Sequence, residues 1–281
     1  MTDSLCFTTD AFGSTGYPEE NLRLIAGAGF SHVHWCHHWN DGFFYTEPEI
    51  DDIARLLGEL NLKFLDCHGS TSQEKCWFSA RESERLAGVE LVKNRVEFTK
   101  KLGGDCVVMH IGKDDENRDS RHGALAKSIK ELEGFCRDRN IRLALENMPT
   151  EGGKQFIDYE SNLLPVIEAW SSEYIGFCLD VGHHNILDDR KDLIRKNELR
   201  NRLAERLIAI HIHDNSGEAD NHWLPFQGSV DWENLAGFLR LAKYQKPLNL
   251  EVNFASSGRV NKERYTRDAY EAITRLKMMV G

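Results

Sequence analysis

Polar and apolar positions along this chain fall into two alternating regimes. Short β-branched or apolar runs recur roughly every thirty residues, at Leu5 to Thr8, His32 to Cys36, Leu62 to Cys67, Cys106 to Met109, Ile141 to Leu145, Ile175 to Leu179, Ile208 to Ile212 and Leu248 to Val252. Runs of this length and composition read as eight strands. Between them the apolar residues take helical spacing, as in Ile50, Ile53, Leu57 and Leu60, in Leu86, Val89, Val96 and Leu102, and in Leu125, Ile129, Leu132 and Phe135. Gly29, Gly103-Gly104 and Asn140 stand just before strands, where helices are stopped by residues that tolerate a left-handed backbone.

Strict alternation of strand and helix implies a parallel sheet, and eight such units favour closure into a (β/α)8 TIM barrel over an open doubly wound sheet. At 281 residues the whole chain, 1–281, fits one barrel domain. No Gly-x-Gly-x-x-Gly follows the first strand and no Gly-Lys-Ser/Thr phosphate loop occurs, so nucleotide-dependent chemistry loses its main support.

In such barrels the chemistry sits at the C-terminal ends of the strands. The runs end in His68, His110, Glu146, Asp180, His211 and Glu251. Six of eight strand ends thus carry an imidazole or a carboxylate, and closure makes them converge on one mouth. Burying so many titratable groups together without a cation is electrostatically costly, which points to a divalent metal. Mixed imidazole and carboxylate donors suit Zn²⁺, Mn²⁺ or Co²⁺ better than Mg²⁺ or Ca²⁺. Asp180-Val181-Gly182-His183 adds a His one turn beyond a strand-end carboxylate, and Asp220-Asn221-His222 places two donor types on the same side of an extended stretch.

Net charge is −10, which argues against non-specific nucleic-acid or membrane binding. The N-terminus has no basic stretch followed by an apolar run, so a cytoplasmic location is expected. Seven cysteines without a Cys-x-x-Cys pair suggest neither a disulfide framework nor a thiolate zinc site. Those within strands read as small apolar residues.

The segments Val108-Met109-His110-Ile111-Gly112, Leu145-Glu146-Asn147, Leu179-Asp180-Val181-Gly182-His183, His211-Ile212-His213-Asp214, and Asp220-Asn221-His222 through Gly228-Ser229-Val230-Asp231-Trp232 resemble the xylose-isomerase-like TIM barrels. That superfamily joins sugar isomerases and epimerases with endonuclease IV. The resemblance runs from the first strand to Glu251. It implies that Glu146, Asp180, His211 and Glu251 hold the single metal of the epimerases, and that His183 contacts substrate. It also implies a trinuclear alternative: the same four around one zinc, His68 and His110 with Glu146 around a second, and His183, Asp220 and His222 around a third.

Two functions follow as expectations. The first is a sugar, keto-sugar or sugar-phosphate isomerase or epimerase with one to three divalent ions. In it Glu146 and Glu251 exchange a proton on opposite faces of a metal-stabilised enediolate, and His183 steadies a substrate oxygen. Trp35, Trp39, Phe43, Phe44 and Trp223 are candidates for its apolar wall. The second is an endonuclease IV-like phosphoesterase acting on abasic DNA. It is disfavoured by Thr71 at the position of that family's aromatic wedge, and by the Arg- and Lys-free acidic loop Trp39 to Glu47. The expected partner is therefore a small sugar, with nucleic acid disfavoured, no membrane, and a homo-oligomer left open. Lys113 could hold an anionic group. His32, His34, His37 and His38 have no counterpart in the motifs. Alternation puts His32, His34 and Cys36 on one face and leaves His37 or His38 near the mouth.

Overall fold

A computed structural model describes residues 4–112, 118–148, 159–186 and 197–281. Eight parallel strands form one sheet in the order β7-β6-β5-β4-β3-β2-β1-β8. They are β1 (Leu5–Thr8), β2 (His32–Trp35), β3 (Lys63–His68), β4 (Cys106–Met109), β5 (Arg142–Glu146), β6 (Ile175–Asp180), β7 (Leu207–His211) and β8 (Leu248–Leu250). The first and last strands pair in register from Leu5–Leu248 to Phe7–Leu250. Closure between β7 and β8 is thinner. It consists of one bridge, Ile212 to Leu250, in which the Ile212 amide donates to the Asn249 carbonyl and the Glu251 amide to the Ile212 carbonyl.

The barrel expected from the pattern is therefore the observed fold, with strand ends shifted by a residue or two. Its helices among the described residues are α1 (Glu19–Gly27), α2 (Glu47–Glu59), α3 (Glu82–Leu102), α4 (Arg118–Arg137), α5 (Leu164–Glu168), α6 (Val181–Ile186), α7 (Asn197–Arg206), α8 (Trp232–Leu241) and α9 (Lys262–Val280). Local chemistry sets their ends. Thr46 and Glu49 form a reciprocal capping box at the start of α2. Gly103 ends α3 at φ +83°, and Asn140 takes φ +54° after α4, as anticipated. Leu86 is the exception among the predicted core positions. It lies on the outer side of α3 and is exposed, while Val89, Val92 and Val96 face inward.

Period-two alternation sorts each strand. Val107, Met109, Leu143, Leu145 and Phe177 join the large apolar cluster that also takes in the buried helix faces. Their neighbours Cys106, Val108, Ala144, Cys178 and Ala209 form a separate small cluster, the barrel lumen, which Ile208 joins only because the β6–β7 register shifts at that residue. Continuing the lumen rows toward the C-terminal ends gives His68, His110, Glu146, Asp180, His211 and Glu251. Small residues below thus leave a polar layer above.

Candidate metal centre

Every one of those six strand-end groups is buried or half-buried, and the backbone aims most of the imidazoles. The Nδ1 of His68 lies 3.0 Å from the Gly69 carbonyl, that of His183 lies 3.0 Å from the Asn147 carbonyl, and that of His222 lies 2.7 Å from the Glu251 carbonyl. A ring whose Nδ1–H is donated to a carbonyl presents a bare Nε2 on the other side, the arrangement that fixes a metal-ligating histidine. Asp180 also accepts from the His183 amide at 2.6 Å, so it caps α6 while pointing its carboxylate at the mouth.

The donors gather into three sets, the first two of which share Glu146. In the first, His211 Nδ1 lies 3.3 Å from Glu146 Oε1, 3.1 Å from Glu251 Oε2 and 3.9 Å from Asp180 Oδ2. In the second, His68 Nε2 and His110 Nε2 approach Glu146 Oε2 at 3.5 and 3.2 Å. In the third, Asp220 Oδ2 lies 3.3 Å from His183 Nε2 and 3.2 Å from His222 Nε2, with His213 alongside. Each set has its donor atoms within 4.8 Å of one another.

The carboxylates of the mouth are held ionised by the imidazoles around them. Burial pushes the Glu146 carboxyl up, but the charges of His211 and His110 outweigh it and hold Glu146 well below the ordinary range. Glu251 is treated alike: burial raises it, and His211 together with His222 brings it well below the ordinary range. Burial would lower His222, yet its bond to Asp220 carries it up to about 9. Glu146 Oε2 is buried without a hydrogen-bond donor. Four carboxylates, Glu146, Asp180, Asp220 and Glu251, and the imidazoles among them form an oxygen and nitrogen donor set that fits divalent transition metals, with the ring protons giving way to the ion.

Above the donors opens a cavity of about 500 Å³. Its floor is His68, His110, Glu146, His183 and Glu251, and its walls include Phe12, Trp39, Phe254 and Asp10. Trp39 packs over His68 and His110 with ring centroids 5.1 and 5.7 Å away.

The sequence profile described as "xylose isomerase-like TIM barrel" matches residues 22–276. The chain belongs to that family. Among its relatives, an uncharacterized protein, y4fM, of Sinorhizobium fredii is 29% identical over 285 residues, covering 93% of this chain and 89% of that protein. A probable endonuclease 4 of Staphylococcus saprophyticus is 24% identical over 143 residues, 48% of this chain and 47% of that protein. Among solved structures, a D-tagatose 3-epimerase-like protein superposes with a TM-score of 0.77 at 20% identity, covering 98% of this chain and 97% of the other. At that identity the likeness speaks for the fold.

Within this xylose isomerase-like barrel, all nine residues singled out from the sequence stand at the mouth in the three sets above. The route to two of them differs from expectation. Asp220 and His222 do not lie on an extended stretch, since His222 has φ +51°. They meet because the turn folds both side chains inward. His213 was not foreseen. Its Nε2 lies 3.0 Å from Asp180 Oδ1, and its ring stacks on His222 at 3.9 Å. Alternation from His211 was the available signal.

The aromatic wall needs correction. Of the five proposed, only Trp39 lines the cavity. Trp35 is buried behind the sheet, donating to the Tyr45 hydroxyl; Phe43 stacks on His38; Phe44 is exposed beneath Lys75; and Trp223 pairs with Asp214 in a short bridge. Phe12 and Phe254, from the loops after β1 and β8, form the wall instead. His37 and His38 also stay off the floor: burial holds His37 down at about 4, and His38 bonds Asp41. His34 and Cys36 do share the lumen face, as alternation implied, and the half-buried His32 bonds Ser31. The amide of Thr71 donates to the Trp39 carbonyl. Lys113 lies outside the described residues. Among those residues no helix is long and apolar enough to cross a membrane.

Proposed function

We propose that this protein is a divalent-metal-dependent isomerase or epimerase of a small sugar, keto-sugar or sugar phosphate. The observation that carries the reading is the pair Glu146 and Glu251, brought from separate strands to 3.3 and 3.1 Å of one imidazole nitrogen beneath a sugar-sized cavity. Glu146, Asp180, His211 and Glu251 would hold one ion, whose Lewis acidity supplies polarisation of a substrate carbonyl. That acidifies the neighbouring C–H.

The chain's own residues do the rest. One carboxylate, ionised, takes the carbon-bound proton while the other, having picked up a proton, returns it from across the substrate, so low-pH protonation of the base would stop the exchange. His183, its Nδ1 tied to the Asn147 carbonyl, presents Nε2 to a substrate oxygen. Phe12, Trp39 and Phe254 offer apolar faces to the carbon-bound hydrogens of a sugar and exclude water from the reacting centre.

A second reading has its own support. The nine donors fall into the three sets that an endonuclease IV-like trinuclear phosphoesterase needs, and probable endonuclease 4 sequences are among the relatives. Against it stand Asp41 in the loop after β2 and Glu47 at the start of α2, where phosphate contacts would require cations. The deciding experiment loads the full chain with Zn²⁺, Mn²⁺ or Co²⁺ and offers ketohexoses and keto-sugars in D₂O, with abasic duplex DNA at low salt in parallel. Deuterium is expected at the carbon beside the carbonyl of at least one sugar. Incision of the DNA with no exchange on any sugar would reverse the assignment.

A further inference from the structure

Beneath the floor of the mouth, inside the lumen, lies a donor set that the nine residues do not include. His34 is fully buried, and its Nδ1 sits 2.6 Å from Oδ1 of the equally buried Asp66. Its other nitrogen, Nε2, is buried with no hydrogen-bond partner. That nitrogen faces Glu251 Oε1 at 3.8 Å, and Cys36 Sγ lies 3.6 Å from the same oxygen. Glu251 Oε2 meanwhile turns to His211. The carboxylate thus divides its two oxygens between the mouth and the lumen.

We infer that His34, Cys36 and Glu251 form a further transition-metal site, with Glu251 bridging it to the set at the mouth. Asp66 stands behind His34 as a carboxylate stands behind many metal-bound imidazoles, taking the Nδ1–H and leaving the Nε2 lone pair for an ion. With that tautomer, a bare Nε2 and a carboxylate oxygen face each other in a buried space, an arrangement that a cation between them would relieve. The span selects its kind. A shared proton would draw nitrogen and oxygen to about 3 Å, and without an ion the Cys36 thiol makes only a long S–H contact of 3.6 Å to Oε1. Donors bound at about 2.0 to 2.3 Å around one tetrahedral ion stand roughly 3.3 to 3.8 Å apart, close to the separations seen. Within the three donors a divalent ion meets one thiolate, one carboxylate shared with the mouth and a neutral imidazole, while the Asp66 carboxylate behind His34 is offset by Lys246. Binding breaks the Cys36 S–H bond, forms a metal–sulfur bond and sends the proton to solvent. Mixed N, S and O donors select Zn²⁺ or Co²⁺ over Mg²⁺ and Ca²⁺.

The test needs the metal alone. Metal-free full-length protein is titrated with Co²⁺ and followed by absorption. An intense near-ultraviolet thiolate-to-cobalt band is expected. Cys36→Ser should abolish it and lower the bound-ion count by one, while Cys178→Ser leaves it in place. Asp66→Asn should weaken that ion's binding by about ten- to a hundredfold. Should the lumen variants fail to fold, X-ray absorption on the unaltered zinc protein reads the same feature as a sulfur neighbour at about 2.3 Å. Cobalt loading without the band, a band that survives Cys36→Ser, or zinc bound with no sulfur neighbour would overturn the site. Sugar exchange is scored separately. The band without exchange would sink the proposed reaction and leave this site standing; exchange without the band would do the reverse.

Discussion

At the scale of single residues, two carboxylates and one glycine carry most of the consequence. Glu146→Gln and Glu251→Gln keep size and one coordinating oxygen but remove the base. Each is expected to lower turnover on the responsive sugar by a hundredfold to ten-thousandfold, about 3 to 5 kcal/mol, with a much smaller change in substrate binding. Ion content measured on each variant separates lost chemistry from lost metal. Gly182 leaves room for a ring: a Cβ there would sit 1.9 Å from His213 Cε1. Gly182→Ala should therefore displace His213 from Asp180 and destabilise the fold by about 1 to 3 kcal/mol, read by urea unfolding. An unchanged midpoint would mean that the ring moves aside freely.

At the scale of elements, α3 holds the mouth through one buried guanidinium. Arg95 donates to the Ser70 hydroxyl at 3.0 Å and to the Phe43 carbonyl at 2.9 Å, and it packs over the Tyr45 ring. It thereby ties the loop after β2, which carries Trp39, to the loop after β3. Arg95→Ala strands these acceptors and should lower stability by roughly 2 to 4 kcal/mol, judged by thermal melting, and should weaken sugar binding more than metal binding. Equal losses of both would place its role in general stability. The same elements show what was legible beforehand. Strand positions and their terminal His, Asp and Glu could be read because alternation and barrel closure are local and topological facts. The wall could not, since Phe12 and Phe254 reach the cavity from loops whose course has no period. Asp66, two residues before His68, was within reach of the alternation rule, but its pairing with His34 depends on β2 and β3 lying side by side with a register shift at Val33/His34.

At the scale of the whole molecule, ions held at the mouth would contribute to the fold's stability. A ligand bound only by the folded state at a hundred times its dissociation constant adds about 2.7 kcal/mol. Exhaustive chelation should thus lower Tm by roughly 5 to 10 °C, with Zn²⁺ or Co²⁺ restoring it and Mg²⁺ failing to. A Tm indifferent to chelation and to added metal would contradict a resident ion. Where that stability resides follows from the seam between β7 and β8. These two strands meet through a single bridge, at the level where one contributes His211 and the other Glu251. An ion gripped by both would act there as a clasp across the weakest joint of the ring. Amide hydrogen exchange at Ile212 and Glu251, slow in the loaded protein, should accelerate on chelation well before the amides of β3 to β6 respond, so that the barrel opens like a bracelet at its fastening.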